Sequence, residues 1–291
     1  LQESHKIVYS SVKAGGAVGP AAKNYDDALW RRVNLPHDYV VETDLSKENP
    51  SIHKHSRPVA WYRKTFSLNP EFSGKQIYLC FEGIAMTSEI YLNGSLLKRT
   101  FSAYTEHCID ITDRVYSNGA VNVLAVRVVS SVNEQWSYEG GGIYRHVKLY
   151  VKEPDSHIVH NGVFVWTETV DEKKEKWATH IQIELENSDY SDAACKVSAT
   201  LLNGGQKIDS ATSEEIFIAA QSKIASELLI NIENPELWWT KELNPVEKQP
   251  LYTVVATLGD TVVTKKIGLR TIELDRSPDE YGETFRFILN G

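Results

Sequence analysis

Two stretches of this 291-residue chain concentrate side chains able to do chemistry. The first runs from Leu35-Pro-His-Asp38 through Glu48-Asn49-Pro50 to Ile52-His-Lys-His-Ser56. His53 and His55 are two apart, so on a strand they share one face, as a pair of metal ligands can. No Asp, Glu or Cys stands at ligand spacing beside them, and we assign no metal site. His37 and Asp38 offer an imidazole and a carboxylate, but neighbours on a strand point to opposite faces, so a cap or turn role is expected. The second stretch is Gln135-Trp-Ser-Tyr-Glu-Gly-Gly-Gly-Ile-Tyr-Arg-His-Val147. Three consecutive glycines permit positive φ and close backbone approach. A dinucleotide fingerprint would need a strand before the glycines and a helix after them, whereas a strand pattern follows. What remains is a sharp loop that projects Trp136, Tyr138 and Glu139 from the end of a sandwich. Such a loop serves as a packed bend or faces a ligand. No G-x-S-x-G element, no Cys–His pair and no nominated pair of carboxylates supplies a hydrolytic centre.

The elements that must position these residues are strands. Period-two alternation sets Ile77/Leu79/Phe81, Ile90/Leu92 and Leu124/Val126/Val128 on single faces, with Asn93-Gly94 as a hairpin turn. The same pattern recurs in Ile181/Ile183/Leu185, Val197/Ala199/Leu201, Leu228/Ile230/Ile232 and Tyr252/Val254/Ala256/Leu258, with turns at Asn203-Gly204 and Gly259-Asp260. Only Tyr25–Arg31 and Glu214–Ala220 read as short helical turns. The polar, proline-containing Lys152-Glu-Pro-Asp-Ser156 divides the chain. The expectation is an all-β protein: a jelly-roll sandwich over 1–152, an immunoglobulin-like sandwich over 157–268, and over 269–291 a connector plus the first strand of something else. Asn93-Gly-Ser95 matches a glycosylation sequon, but a hairpin turn accounts for it.

Composition narrows the function classes. Lys+Arg 31 against Asp+Glu 39 gives a formal net charge of −8, without the basic stripe that phosphate backbones require, so nucleic acid is not the partner. No apolar run reaches the roughly 20 residues that span a bilayer. The chain opens at Leu1-Gln2 without a signal peptide, as expected if one was trimmed. Cys80, Cys108 and Cys195 are too few and too scattered for a disulfide scaffold or zinc site, and Cys80 reads as a small buried hydrophobe. The 7 Trp and 14 Tyr suit sugar binding, since ring faces pack on the C–H faces of a pyranose.

In order along the chain, several motifs together resemble glycoside hydrolase family 2, the β-galactosidase, β-glucuronidase and β-mannosidase group. They are Tyr25-Asp-Asp-Ala-Leu-Trp30, Val33-Asn-Leu-Pro-His-Asp38, Ala60-Trp-Tyr-Arg-Lys-Thr-Phe66, Leu79-Cys-Phe-Glu-Gly83, Ser88-Glu-Ile-Tyr-Leu-Asn-Gly94, Asp110-Ile-Thr112, Asn122-Val-Leu-Ala-Val-Arg127 and Gly141-Gly-Ile-Tyr-Arg-His-Val147. Asn234-Pro-Glu-Leu-Trp238, Pro250-Leu-Tyr252 and Gly268-Leu-Arg270 continue the series.

The resemblance implies a retaining exo-glycosidase, in first place a β-galactosidase, whose two catalytic glutamates lie on barrel strands. No catalytic residue is therefore assigned to this chain. The jelly roll lends side chains to the rim of the sugar pocket, and the matching regions are Asn49 through His55 and Trp136 through Glu139. Asn49 and Glu139 would hydrogen-bond sugar hydroxyls, Trp136 would stack on a ring, and His53 and His55 join the substrate-binding set. The partner is carbohydrate. This portion needs no cofactor, and any divalent cation or Na would belong to the barrel. The full-length enzyme is expected to form homo-oligomers, and a periplasmic or secreted location is favoured slightly over a cytoplasmic one. The alternatives are a free-standing carbohydrate-binding or adhesion module, or a β-glucuronidase or β-mannosidase parent. The tail Gly282-Glu-Thr-Phe-Arg-Phe-Ile-Leu-Asn-Gly291 resembles the lead into a TIM barrel, and residues 275–291 are expected either poorly ordered or docked on the second sandwich.

Overall fold

The computed structural model describes residues 16–43, 59–130, 140–171, 173–243 and 249–291. The chain is all-β, a jelly-roll sandwich followed by an immunoglobulin-like one, with only short 3-10 turns among the described residues. It splits into two compact units, Leu1–Lys152 and Glu153–Gly291.

In the first unit, β1 (Ala60–Ser67), β2 (Gln76–Phe81), β3 (Thr87–Leu92), β4 (Ser95–Thr100), β5 (His107–Asp110), β6 (Val121–Val129) and β7 (Val147–Lys152) form two sheets. Their orders are β1-β6-β3-β4 and β5-β2-β7, all antiparallel. The alternating apolar positions supply the core between them, with Ile77, Phe81, Ile90, Leu92, Val126 and Val128 almost fully buried. β3 turns into β4 through Asn93 and Gly94, whose φ values of 51° and 78° suit a type I′ hairpin. The Asn93 amide turns inward: Nδ2 donates to Asn122 Oδ1 at 2.9 Å and to the Arg114 carbonyl at 3.1 Å, while Oδ1 accepts from Val123 N at 3.0 Å. The sequon asparagine is thus a buried structural link.

Cys80 and Cys108 correct the reading of scattered, inert thiols. They stand directly opposite on β2 and β5 and are bonded as a disulfide, although 28 residues apart in sequence. Cys80 is fully buried as expected, on the face of β2 opposite to Ile77, Leu79 and Phe81. Register, invisible in the spacing, made the pair.

The second unit contains β8 (His157–Thr169), β9 (Lys176–Asn187), β10 (Ala193–Cys195), β11 (Ser198–Asn203), β12 (Gln206–Thr212), β13 (Ile216–Ile218), β14 (Ser222–Glu233), β15 (Tyr252–Leu258) and β16 (Thr261–Ile267). The main sheets are β14-β9-β8 and β12-β11-β15-β16, and β10 pairs with β13. Trp177, Ile181, Ile183 and Leu185 of β9 face Leu201, Val254 and Ala256 across the core. The helical reading of Glu214–Ala220 fails, because Ile216–Ile218 pairs with Ala193–Cys195. Tyr25–Arg31 likewise forms turns, not a helix.

β17 (Ile272–Asp275) pairs with β20 (Arg286–Leu289), and β18 (Pro278–Asp279) pairs with β19 (Gly282–Glu283) within the same hairpin. The segment is ordered, and its stem is docked on the second unit, one of the two outcomes expected of it. Its stem is tied down where Asn290 Nδ2 donates to the Trp238 carbonyl at 3.0 Å and Thr271 N donates to Asn290 Oδ1 at 3.0 Å. Phe285 and Phe287 remain exposed, edge to face with centroids 5.7 Å apart.

Candidate functional site

The Pro-His-Asp element and the glycine triplet meet, although about 100 residues of chain separate them. His37 N donates to the Ile143 carbonyl and Tyr39 N to the Gly141 carbonyl, both at 2.8 Å. Asp38 Oδ1 accepts from Val40 N at 2.9 Å, Val41 N at 3.4 Å and Gly141 N at 2.9 Å. Asp38 therefore closes a turn, the role expected of it, and also clamps the glycines.

The glycines are required by proximity. A Cβ on Gly140 would lie 1.9 Å from Asp38 Oδ2, and one on Gly141 would lie 2.4 Å from Ser130 Oγ and 2.6 Å from Val40 Cγ2. Gly142 combines a φ of +133° with a Cβ position 2.5 Å from the His37 carbonyl oxygen. It also exchanges both backbone hydrogen bonds with Ala85, at 2.9 and 3.0 Å. Ser130, at the end of β6, accepts from the Tyr39 hydroxyl at 3.0 Å and donates to the Ala85 carbonyl at 2.8 Å.

His37 makes a second layer. Its Nδ1 lies 2.7 Å from the Tyr62 hydroxyl, and its Nε2 lies 3.2 Å from an Arg31 nitrogen and 3.3 Å from Glu42 Oε1. Arg31 and Glu42 are themselves paired. The hydrogen bond and charge of Arg31 hold the Glu42 carboxyl below the usual carboxylate range. Burial pushes the Tyr62 phenol well above its ordinary value, so it stays a neutral hydrogen-bonding group.

This knot holds together the described residues that flank two segments, 44–58 and 131–139. Thr43 precedes the first, with its N–H and hydroxyl both donating to the Val40 carbonyl, and Ser130 and Gly140 are the last described residues on either side of the second. Asn49, His53 and His55 belong to the first segment and Trp136 and Glu139 to the second, and all five lie outside the described residues. The sequence reading missed Arg31, Glu42, Tyr62 and Ser130. Tyr62 could have been found, since it sits inside the motif Ala60–Phe66; the others show only through contact.

Comparison with known proteins agrees with this architecture. The sequence model for the glycosyl hydrolase 2 galactose-binding domain-like family matches residues 34–159, and that for glycosyl hydrolases family 2 matches residues 156–270. Beta-galactosidase BoGH2A of Bacteroides ovatus is 31% identical over 271 residues, covering 90% of this chain and 31% of that protein. A beta-glucuronidase of Formosa agariphila is 25% identical over 75% of this chain and 24% of its own length. The crystal structure of a glycosyl hydrolase family 2 member from Bacteroides cellulosilyticus superposes with a TM-score of 0.80 at 29% identity, covering 96% of this chain and 37% of that one. The chain thus spans between 24% and 37% of these relatives' lengths. No helix among the described residues is long and apolar enough to cross a membrane. With consecutive matches running from residue 34 to residue 270 and the fold in agreement, the chain belongs to glycoside hydrolase family 2.

Proposed function

We propose that this chain is the non-catalytic N-terminal portion of a retaining exo-glycosidase, in first place a β-galactosidase, that removes terminal β-linked sugars from oligo- or polysaccharides. The observation that carries the reading is the clamp of Asp38, Ser130 and Gly140–142, which joins the residues flanking segments 44–58 and 131–139. In this reading the two segments lean over a sugar pocket completed by the remainder of the parent protein. Asn49 and Glu139 hydrogen-bond sugar hydroxyls there, His53 and His55 line the rim, and Trp136 stacks on a ring. Bond cleavage needs two carboxylates across the glycosidic oxygen, and both are assigned to the barrel of the parent. The purified 291-residue chain is expected not to release nitrophenol from a nitrophenyl β-galactoside, while the longer polypeptide releases it. Trp136→Ala in that longer polypeptide should raise KM more than it lowers kcat. Turnover by the 291-residue chain alone would overturn the assignment. The similarity to a β-glucuronidase makes a nitrophenyl β-glucuronide the second substrate to assay.

A further inference from the structure

A groove of about 860 Å³ runs along the free edge of β1 in the first unit. One wall is the segment 27–39, with Trp30, Arg31, Arg32 and His37; the floor and other wall are residues 60–65 of β1. The volume lies in the upper part of the range usual for small-ligand sites. The first wall is held firmly from behind. Arg63, whose side chain is 3% exposed, donates to Asp27 Oδ2 at 2.8 Å, to the Ala22 carbonyl at 3.0 Å and to the Pro20 carbonyl.

The charges do not balance. Four cations line the groove, namely Arg31, Arg32, Arg63 and Lys64, against one carboxylate, Asp27. Asp27 is taken by Arg63, and Arg31 is taken by Glu42. Arg32 and Lys64 are exposed and have no partner among the described residues. Two cations in one groove without a partner among the described residues, in a chain with a net charge of −8, mark a place where an anion is favoured. Two indoles, Trp30 and Trp61, line the same groove, and an edge strand offers it backbone donors and acceptors.

We infer that this groove binds an anionic saccharide, with Arg32 and Lys64 meeting its carboxylate or sulfate groups and the indoles its ring faces. Arg32 supplies a planar fork suited to either anion, and Lys64 a point charge. The choice of a saccharide over an acidic peptide rests on the carbohydrate reading above. Binding to this chain is nevertheless measured apart from hydrolysis by the parent, so either can fail alone.

The test is calorimetric titration of the 291-residue protein with four probes: an oligogalacturonide, a sulfated galactan oligosaccharide, a neutral galacto-oligosaccharide and a polyglutamate peptide. One or both charged saccharides should bind, and the one that does identifies carboxylate or sulfate as the source. The affinity should fall severalfold between about 0.05 M and about 0.3 M salt, and the indole signals of Trp30 and Trp61 should shift on binding. The double variant Arg32→Ala/Lys64→Ala should bind at least tenfold more weakly with an unchanged melting temperature, and Arg32→Lys should recover part of the loss. The inference is overturned if neither charged saccharide binds, or if the neutral one binds as well. It is equally overturned if the peptide outcompetes both, or if the double variant, checked to be folded, binds normally.

Discussion

Gly142→Ala is the sharpest probe of the clamp. An added Cβ would sit 2.5 Å from the His37 carbonyl oxygen and 2.6 Å from the Tyr62 hydroxyl. The first contact is backbone and cannot swing aside; the second is held by His37 Nδ1. Relief therefore requires separating residues 37–39 from 141–143, which sacrifices the His37–Ile143 and Tyr39–Gly141 hydrogen bonds. At about 0.5–1.5 kcal/mol net for each bond, and about 1–3 kcal/mol for a non-glycine residue at φ +133°, the loss is about 2–6 kcal/mol. Gly119→Ala in the same unit is the control. Its φ is +84°, but the nearest atom to its Cβ is Pro70 Cγ at 3.6 Å, an ordinary contact, so only about 1–2 kcal/mol of backbone strain applies. For a unit of this size, calorimetry should show the first unit melting about 4–24 °C lower for Gly142→Ala and about 2–8 °C lower for Gly119→Ala. The second unit's transition should stay put. Equal shifts for the two variants would refute the reasoning, because the clash and the broken bonds would then contribute nothing.

Three further outcomes follow from other contacts. Asp38→Ala deprives three backbone N–H groups of their acceptor and should cost about 2–4 kcal/mol in denaturant unfolding, whereas Asp38→Asn, which keeps the oxygen, should cost about 1 kcal/mol or less. Non-reducing peptide mapping should find Cys80 linked to Cys108 and Cys195 free, and reduction should destabilise the first unit by about 3–4 kcal/mol, the loop entropy for a 28-residue separation. His180 lies between Glu227 at 2.7 Å and Glu168 at 3.1 Å, and stacks on Trp166 with centroids 4.8 Å apart. The Glu227 hydrogen bond is the leading cause that raises the imidazole above its ordinary value of 6.5. Its stabilising contribution is therefore whole below about pH 6.5 and is lost as pH rises through the folded-state value. NMR titration should show His180 ionising above 6.5, with Glu227→Gln lowering it more than Glu168→Gln; an unshifted His180 would count against the bridge.

Strands and turns were legible because their causes are local. Alternation every second residue follows from the pleat, so Ile77/Leu79/Phe81 and Ile181/Ile183/Leu185 announced their faces, and Asn93-Gly94 announced its hairpin through the left-handed backbone it requires. Glu214–Ala220 misled for the complementary reason. A three-residue strand such as Ile216–Ile218 is made by its partner, Ala193–Cys195, and carries too short a period of its own. The tail hairpin escaped notice because Ile272–Asp275 has only four residues to advertise pairing with Arg286–Leu289.

The sequence by itself determined the all-β class, the division near residue 152 and the ordered motifs of the family, since composition, periodicity and residue order are properties of the chain. Only the tertiary structure decided that Cys80 faces Cys108, that Arg63 spends its donors on Asp27, Ala22 and Pro20 while Arg32 and Lys64 meet no partner among the described residues, and that the three glycines are held against Asp38, Ser130 and His37. The disulfide, the Arg63 bonds and the contacts of the glycines with Asp38 and His37 each join residues 28 or more positions apart. Such contacts depend on register and on the packing of one segment against another, and neither is written in the spacing of residues along a strand.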